Sequence, residues 1–278
     1  MTILLGHHES IPLFVPKFRV EEVLQGIREC LECGWTGSGF KTLEFEGQWS
    51  AYTGLPFAHF VNSCTAALHT AVAVLKRHEN WRDGDEVIVP PLTFVSTAHA
   101  VSYENLKPVF ADVDDHLCLD PAAVEAKISN KTRAVIFVGI GGSTGQLDSI
   151  AALCGARGIR LIIDAAHLSG TRLRGLDPGH LGDVACYSFH AVKNLPTSDS
   201  GMVCFRSKEQ DAAARSFTWL GIDRDTYSRS AGGQYSWQYD VEKIGFKYHG
   251  NSIAAATAMV GLRYLDEDNS TRRKLSAK

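Results

Sequence analysis

The sequence predicts an α/β protein with three layers, in which helices cover both faces of a mostly parallel central sheet. Short apolar runs rich in β-branched residues alternate with segments of helical periodicity, which is typical of βα units. The chain has 278 residues, a length that corresponds to about two domains or one large α/β domain. Hydrophobic residues make up 45% of it and charged residues 21%, so a sizeable core can form.

The first half of the sequence supports its elements one by one. Apolar residues recur at helical spacing in two N-terminal segments, and apolar runs rich in β-branched residues mark the strands. Asp120 followed by Pro121 places a capping carboxylate before a proline at the first helical position, so a short helix follows. The predicted elements are helices at 20–33, 41–52, 65–77, 95–103 and 122–128, and strands at 57–61, 86–89 and 108–111.

The second half carries the most regular alternation. An apolar strand, a helix and a second strand follow one another, and Asp164 comes directly after the second strand. Two more strands flank a turn-rich stretch at 196–201, and an Ala-rich helix comes near the end of the chain. The predicted elements are strands at 134–138, 160–163, 184–189 and 202–205, helices at 147–157 and 251–268, and a long surface excursion at 215–246.

Composition argues against several classes of protein. Lys and Arg number 28 against 31 Asp and Glu, a net charge of −3, so a nucleic-acid binder that relies on bulk charge is not expected. The run at 134–140 is far too short to span a membrane. Seven cysteines, an odd number, favour a reducing cytoplasm. Cys30 and Cys33 lack a second pair of ligands, so we predict no metal site.

Polar residues directly after predicted strands are the first candidates for a site, because ligands of open α/β sheets bind beyond the carboxyl ends of the strands. Ser63, Thr65 and Ala66 follow the first strand and lead into a helix. Backbone N–H groups and the positive end of the helix dipole at such a turn can bind a phosphate group. The alternative is that Ser63 or Thr65 only caps the helix.

Three further positions supply the chemistry of one cofactor. Asp164 follows a core strand and needs a cationic partner. Lys193 follows another strand near apolar walls, where burial makes an amine nucleophilic, and Phe94 offers a flat face. Each of these residues alone is more often structural. Together with the phosphate turn they match pyridoxal 5′-phosphate (PLP), whose pyridine nitrogen pairs with an Asp and whose aldehyde bonds to a Lys.

Other cofactor motifs match less well. The run from Gly139 to Gly145 is similar to a dinucleotide-binding loop, but Thr144 occupies the position of its third glycine, and the run lies far into the chain. Neither the phosphate loop of NTPases nor a G-x-S-x-G nucleophile elbow occurs in the sequence. We therefore predict PLP rather than a nicotinamide cofactor.

Several motifs in fixed order resemble one family, the PLP-dependent sugar aminotransferases of the DegT/DnrJ/StrS type, which have the fold type I architecture of aspartate aminotransferase. The similarity extends from about Trp35 to Asp268. Its motifs are Gly34 to Gly37, Ser63 to Leu68, Gly84 to Pro90, Phe94 to Thr97, Pro108 to Val113, Asp164 to His167, Ser188 with Phe189, and Lys193 to Leu195.

The resemblance implies a role for each candidate residue. Lys193 is implied as the Schiff-base lysine and proton shuttle, Asp164 as the partner of the pyridine nitrogen, and His167 as a neighbour of the ring hydroxyl. The other implied cofactor-binding residues are Ser63, Thr65, Ala66 and Ser188 at the phosphate, Phe94 on one ring face, and Asn251 at the phosphate of the neighbouring subunit.

The resemblance also implies the reaction and the partners. Glutamate supplies an amino group that the enzyme passes to a keto-deoxy sugar carried on a nucleotide, and the chain works as a homodimer. A lysine at position 193 separates the aminotransferases from the similar sugar 3-dehydratases, which carry histidine there. Two alternatives stay open: a PLP-binding regulatory member without activity, and a related enzyme that acts on a non-sugar cyclic ketone.

Three departures from the family pattern set further expectations. The segment from Ser198 to Gly201 replaces the usual G-E-G-G, and Gly139 and Gly141 replace a usual His and Tyr. Family members also continue for roughly a hundred more residues. We therefore expect residues 1–250 to form the PLP-binding large domain with its N-terminal helices. Residues 251–278 are expected to begin the helix that leads to a smaller C-terminal domain, which is largely missing.

Overall fold

A seven-stranded sheet lies at the centre of the structure, a computed structural model that describes residues 14–223, 227, 229, 237–241 and 243–277. Helices cover both faces of this sheet, so the predicted three-layer fold is confirmed. The strands are β1 (Phe57–Val61), β2 (Glu86–Val89), β3 (Lys107–Phe110), β4 (Thr132–Val138), β5 (Arg160–Asp164), β6 (Val184–Ser188) and β7 (Gly201–Phe205).

The helices of the described residues alternate with the strands as the sequence predicts. None of them combines the length and the apolar character that crossing a membrane requires. The α-helices are α1 (Val20–Glu32), α2 (Phe40–Thr53), α3 (Cys64–His78), α4 (Ser96–Tyr103), α5 (Pro121–Lys127), α6 (Leu147–Arg157), α7 (Lys208–Thr218), α8 (Ser252–Arg263) and α9 (Leu265–Ser276).

The strand order is β1-β7-β6-β5-β4-β2-β3. Neighbouring strands from β6 to β3 are parallel, whereas β7 runs antiparallel to both β1 and β6. Six strands therefore end at the same edge of the sheet, and β7 begins there. Residues that follow different strands meet at this edge.

Two apolar cores hold the layers together, one on each face of the sheet. Small residues of α3 such as Ala67 and Ala71 pack closely on one face, and the rings of Phe45 and Trp49 on α2 cover the other. Phe189 contacts both of these rings, with centroids 5.4 and 5.0 Å away. Because Phe189 directly follows β6, this aromatic cluster anchors the loop that carries Lys193.

The C-terminal helical segment differs from the prediction of one helix over 251–268. Asn251 precedes α8 as its N-cap, and the segment divides into α8 and α9 at Tyr264, whose backbone leaves the helical region at φ −109° and ψ 2°. The Tyr264 hydroxyl bonds to Glu22 at 2.8 Å, and Leu265 is fully buried. These tertiary contacts bend the chain at a position where the sequence shows no helix breaker.

The predicted surface excursion at 215–246 is wrong in its first part. Its first residues belong to α7, where Phe217 and Thr218 are fully buried. Ser207 caps this helix by accepting a bond from the Gln210 N–H, and the S-x-x-Q spacing was a local signal for it. Positions 224–226, 228, 230–236 and 242 of the excursion lie outside the described residues.

Candidate active site

The predicted site residues meet at the edge where six strands end. Ser188 closes β6 and pairs with Gly201, which also pairs with Val61 at the end of β1. Asp164 closes β5. Asn251 approaches the same edge, because the Gly250 N–H donates to the Phe60 carbonyl of β1. The fold thus brings together all the strand-end residues that the sequence singles out.

The turn between β1 and α3 has the geometry of an anion site. Ser63 is the N-cap of α3, and its Oγ accepts a bond from the Ala66 N–H at 3.1 Å. The capping role is therefore present. The N–H groups of Cys64 and Thr65 donate to no other group in the described part of the chain, and the half-buried Thr65 hydroxyl has no partner there either. These three donors can bind a phosphate.

Gly201 leaves the space that this turn needs. A Cβ atom at position 201 would lie 2.7 Å from the Cys64 nitrogen and 2.7 Å from the Ser63 carbonyl carbon. These distances are too short for any residue with a side chain, so position 201 requires glycine. The last glycine of the family's G-E-G-G is thus kept where space demands it. Ser200, which replaces another of those glycines, is buried and bonds to the Thr197 hydroxyl at 2.7 Å.

Asp164 is a buried anion that has no cationic partner among the described residues. Its side chain is 4% exposed and accepts bonds from Thr97 Oγ1 at 2.8 Å and from the Ala166 N–H at 3.2 Å. Burial raises the pKa of this carboxyl, and the hydrogen bonds and the charge of Lys193 offset that effect only in part. The site is built for a cation that meets Asp164.

Lys193 lies in a loop that is held at both ends. The Lys193 N–H donates to the His190 carbonyl at 2.8 Å, and the Thr197 N–H and hydroxyl both bond to the Phe189 carbonyl. Leu195 between them is fully buried. Partial burial lowers the pKa of the Lys193 ammonium, although the negative charge of Asp164 acts against this shift. A larger fraction of the amine is therefore uncharged and nucleophilic.

His167 presents one defined ring nitrogen to the site. Its Nδ1 accepts a bond from the Gly141 N–H at 3.0 Å, so the neutral ring carries its proton on Nε2. Burial and the charge of Lys193 both lower the pKa of His167, which favours this neutral form. Gly141 has a φ of +59°, a conformation that favours glycine over the tyrosine usual in the family.

Phe94 and Asn251 occupy exposed positions. The Phe94 side chain is 74% exposed, so core packing, the usual explanation for a phenylalanine, does not account for it. Asn251 caps α8 by accepting a bond from the Ala254 N–H at 2.9 Å. Its predicted contact with the phosphate of a neighbouring subunit stays a prediction.

Sequence reasoning missed Thr97 and Gly201 as parts of the site. Thr97 bonds to Asp164 across 67 positions of sequence and also to Thr93 at 2.7 Å. Its only sequence signal was its place in the motif that begins at Phe94. The family pattern marks Gly201, but the close approach that requires it becomes visible only in three dimensions.

The residues present fit PLP. A buried carboxylate without a cation matches a protonated pyridine nitrogen, the free N–H groups beside Gly201 match a phosphate, and the lysine with a lowered pKa matches an aldehyde. Together with the three-layer sheet, these features define the chain as a PLP-dependent enzyme of fold type I.

The chain belongs to the DegT/DnrJ/EryC1/StrS aminotransferase family, whose model matches residues 18–278. Enzymes of this family use PLP, so the cofactor predicted from the sequence is confirmed.

The chain is similar to three further proteins. The spore coat polysaccharide biosynthesis protein SpsC of Bacillus subtilis is 35% identical over 270 residues, which cover 96% of this chain and 68% of SpsC. Spr1654 from Streptococcus pneumoniae, solved in its PMP form, is 26% identical with a TM-score of 0.88, covering 96% of this chain and 71% of that one. DesI, solved with its TDP-sugar product, is 28% identical with a TM-score of 0.76. The match covers 91% of this chain and 60% of the DesI chain.

Proposed function

We propose that the chain transfers an amino group from glutamate to a keto-deoxy sugar carried on a nucleotide. The observation that carries this proposal is that one edge of the sheet holds both a lysine whose pKa is lowered and a buried carboxylate that forms no salt bridge among the described residues. The sugar is supported by the similarity to SpsC, a polysaccharide biosynthesis protein, and to DesI, whose product is a TDP-sugar.

The cofactor, when bound, supplies an aldehyde that accepts the amino group and a ring that withdraws electrons from the reacting carbon. Asp164 keeps the ring nitrogen protonated, because a buried carboxylate strongly favours a cation beside it. Ser63, Thr65, Ala66 and Ser188 hold the phosphate. Phe94 covers one face of the ring.

Lys193 transfers protons, and His167 donates a hydrogen bond. The Lys193 amine removes the proton from the α-carbon of the amino donor and returns a proton to the sugar carbon, and its lowered pKa makes it a better base near neutral pH. His167 would donate a hydrogen bond from its Nε2–H group to the ring hydroxyl of the bound cofactor. Both side chains line one cavity, so both can reach a bound substrate.

The overall reaction balances in two halves. Glutamate leaves its amino group on the enzyme and departs as 2-oxoglutarate, whose keto oxygen comes from one water molecule consumed in this half. The keto sugar then takes up this amino group in place of its carbonyl oxygen, which leaves as water.

The domain division and assembly complete the proposal. Residues 1–250 form the PLP-binding domain, and residues 251–278 lead toward a smaller C-terminal domain. Two copies form a homodimer in which Asn251 reaches the phosphate of the neighbouring subunit. The seven cysteines are all free thiols, which supports a reducing cytoplasm as the place of action.

The test uses glutamate labelled in its nitrogen, the cofactor-loaded chain and a TDP-linked keto-deoxy sugar. We expect the label in an amino sugar identified by mass spectrometry, and none when Lys193→Ala replaces the native chain. Label transfer to a cyclic ketone but not to the sugar would favour the non-sugar alternative. A chain that binds PLP and transfers label to neither acceptor would favour the regulatory one.

A further inference from the structure

The loop after β5 forms two successive turns, 165–168 and 168–171, and His167 lies in the first of them. Each turn is closed by a hydrogen bond from the N–H of its fourth residue to the carbonyl of its first, at 2.9 and 2.8 Å. Gly170 is the third residue of the second turn and has a φ of +81°. This is the conformation of a type II turn, which favours glycine at that place.

The 168–171 turn leaves one backbone carbonyl, that of Ser169, to be satisfied from outside the turn. Ser169 is buried, and a buried carbonyl without a partner is costly. The side-chain amide of Asn269 on α9 donates to this carbonyl at 3.0 Å. No other group in the described part of the chain donates to it. The bond from Asn269 therefore holds the central peptide of the turn in its orientation.

The contact between Asn269 and the turn is close and has a fixed orientation. Asn269 is itself buried, and a Cβ atom at position 170 would overlap its amide nitrogen, so glycine makes room for the amide. Arg272 donates to Asn269 Oδ1 at 3.1 Å. Because the amide oxygen is engaged by Arg272, the N–H₂ group is the end that faces Ser169.

The helix that carries Asn269 is attached to other parts of the molecule independently of the turn. The Tyr52 hydroxyl of α2 donates to Asp266 at 2.6 Å, and Arg19 binds Asp268 through two hydrogen bonds. Leu265 at the start of α9 is fully buried. The position of Asn269 is therefore set by α9, and Asn269 holds the turn against this support.

His167 lies two residues before the carbonyl that Asn269 holds. Its Nδ1 accepts the bond from the Gly141 N–H at 3.0 Å, and a hydrogen bond weakens steeply when its distance or angle changes. Rotation of the peptide after Ser169 would move the backbone of the whole loop, and the His167 ring with it. The Asn269 bond therefore helps to keep the ring where Nδ1 meets Gly141 and Nε2–H is available to a ligand.

We propose that Asn269 is a positioning residue for His167: by holding the 168–171 turn, it fixes the tautomer and the place of the ring that meets the cofactor hydroxyl. The proposal rests on the proposed function for the group that Nε2–H binds. Asn269 acts through His167 and takes no part in the chemistry itself. The alternative is that Asn269 contributes to stability alone.

The first measurement is NMR spectroscopy of the cofactor-free chain, labelled with ¹⁵N in its histidine rings, at neutral pH. The signals of His167 are assigned by their absence from His167→Phe. A ring with one fixed tautomer gives two well-separated nitrogen signals, whereas exchange between tautomers draws them together. We expect separate signals in the native chain and a shift of both toward their average in Asn269→Leu, since leucine has nearly the same shape and no N–H group.

The second measurement is the affinity for PLP, followed by absorbance titration. Asn269→Leu should weaken PLP binding by up to about tenfold, the effect of one hydrogen bond that has lost its orientation. The double variant with His167→Phe should bind PLP within about twofold of His167→Phe alone, because Asn269 has no effect when the ring through which it acts is absent.

Asp268→Asn is the matched control. Asp268 is the neighbour of Asn269 on α9, and the change weakens its bonds to Arg19 without touching the loop of His167. This variant should lower the melting temperature but leave the His167 signals unchanged and PLP affinity within about twofold of the native value. If leucine prevents folding, Asn269→Ala removes the same donor without adding bulk beside Gly170, and the same results are expected.

Unchanged His167 signals in Asn269→Leu would overturn the positioning role. Equal shifts in Asp268→Asn would overturn it as well, since they would mean that any loosening of α9 has this effect. Losses of PLP affinity that multiply in the double variant would show that Asn269 acts independently of His167, with the same consequence. The NMR measurement needs neither cofactor nor substrate, so a chain whose His167 signals respond as expected but that transfers no label contradicts only the proposed function.

Discussion

Replacing Asp164 with asparagine should stabilise the cofactor-free chain and weaken its hold on PLP, two effects of opposite sign. Asp164 is 4% exposed and forms no salt bridge among the described residues, although the charge of Lys193 acts on it. Burial raises its pKa, so the ionised form opposes folding at neutral pH. Asparagine has nearly the same shape and no charge.

The size of the stabilising effect follows from the contacts of Asp164. A buried charge costs several kcal/mol, and the bonds from Thr97 and Ala166 together with the charge of Lys193 offset part of this cost. Asparagine can keep the bond from Thr97 but presents its own N–H₂ to the Ala166 N–H, which loses about 1 kcal/mol. A net gain of roughly 1–2 kcal/mol remains, and the melting temperature should rise by about 2–8 °C.

The pH dependence of this gain has a definite sign. Because the folded-state pKa of Asp164 is raised, the penalty is absent below the unfolded pKa of about 3.9. It appears as the pH rises through that value and is complete above the folded pKa. The advantage of Asp164→Asn over the native chain should therefore grow from about pH 4 upward and then level off.

The effect on the cofactor is larger and unfavourable. Removing one partner of a buried charge pair costs about 3–5 kcal/mol, which corresponds to a few hundredfold or more in affinity or turnover. Thermal unfolding with and without PLP measures both effects at once. Asp177→Asn is the control: Asp177 is also buried with a raised pKa, but Tyr187 and Gly179 bond to it, and PLP stabilisation should be unchanged.

A lower melting temperature of cofactor-free Asp164→Asn, together with full stabilisation by PLP, would refute this reasoning. It would mean that the carboxylate is compensated inside the protein and does not serve the cofactor.

Three further predictions address neighbouring residues and the fold. Lys193→Ala should abolish the attachment of PLP that borohydride makes permanent, and a trapped adduct mapped by mass spectrometry to another lysine would contradict the assignment. Phe94→Ala should change the free energy of unfolding by less than about 0.5 kcal/mol, since the ring is exposed, while PLP affinity measured by absorbance titration falls several-fold. For Glu46, burial acts to raise the pKa, but the hydrogen bond from His59 helps hold it below the usual value. The ionised Glu46 carboxylate therefore stabilises the fold above the unfolded pKa of about 4.3, and this stabilisation is lost as the pH falls through the lower folded pKa. The urea concentration at the midpoint of unfolding should therefore fall less steeply on acidification in Glu46→Gln than in the native chain.

Much of the fold could be predicted because local sequence patterns determine where its strands and helices begin and end. The limits of β1, β2 and α6 agree with those predicted from apolar runs and helical spacing. Asp120 and Pro121 open α5 as the capping argument required, with the Asp120 carboxylate accepting from the Ala122 N–H at 3.0 Å. The break at Tyr264 could not be predicted, because its cause is a contact with Glu22, 242 positions away.

The part of the candidate site that follows strands could be predicted, because the ends of parallel strands lie at one edge of the sheet. Asp164 and Lys193 are predictable because each follows a predicted strand, whereas Ser188 is implied by the family resemblance, and the parallel strands place all three at one edge of the sheet. The tautomer of His167 depends on the Gly141 N–H, which comes from another loop. Arg272 and Arg273 on α9 line the same cavity as Lys193 although they lie far from it in the sequence, so no local pattern predicts that they meet.

Single-turnover spectroscopy with glutamate and no sugar tests the central claim most directly. PLP bound to Lys193 absorbs visible light, and transfer of the amino group to the cofactor removes this absorption. We predict that glutamate abolishes the band and that one 2-oxoglutarate appears for each cofactor, in the native chain but not in Lys193→Ala. A bound cofactor whose absorption is unchanged by glutamate or any other amino donor would contradict the claim that this chain is an aminotransferase.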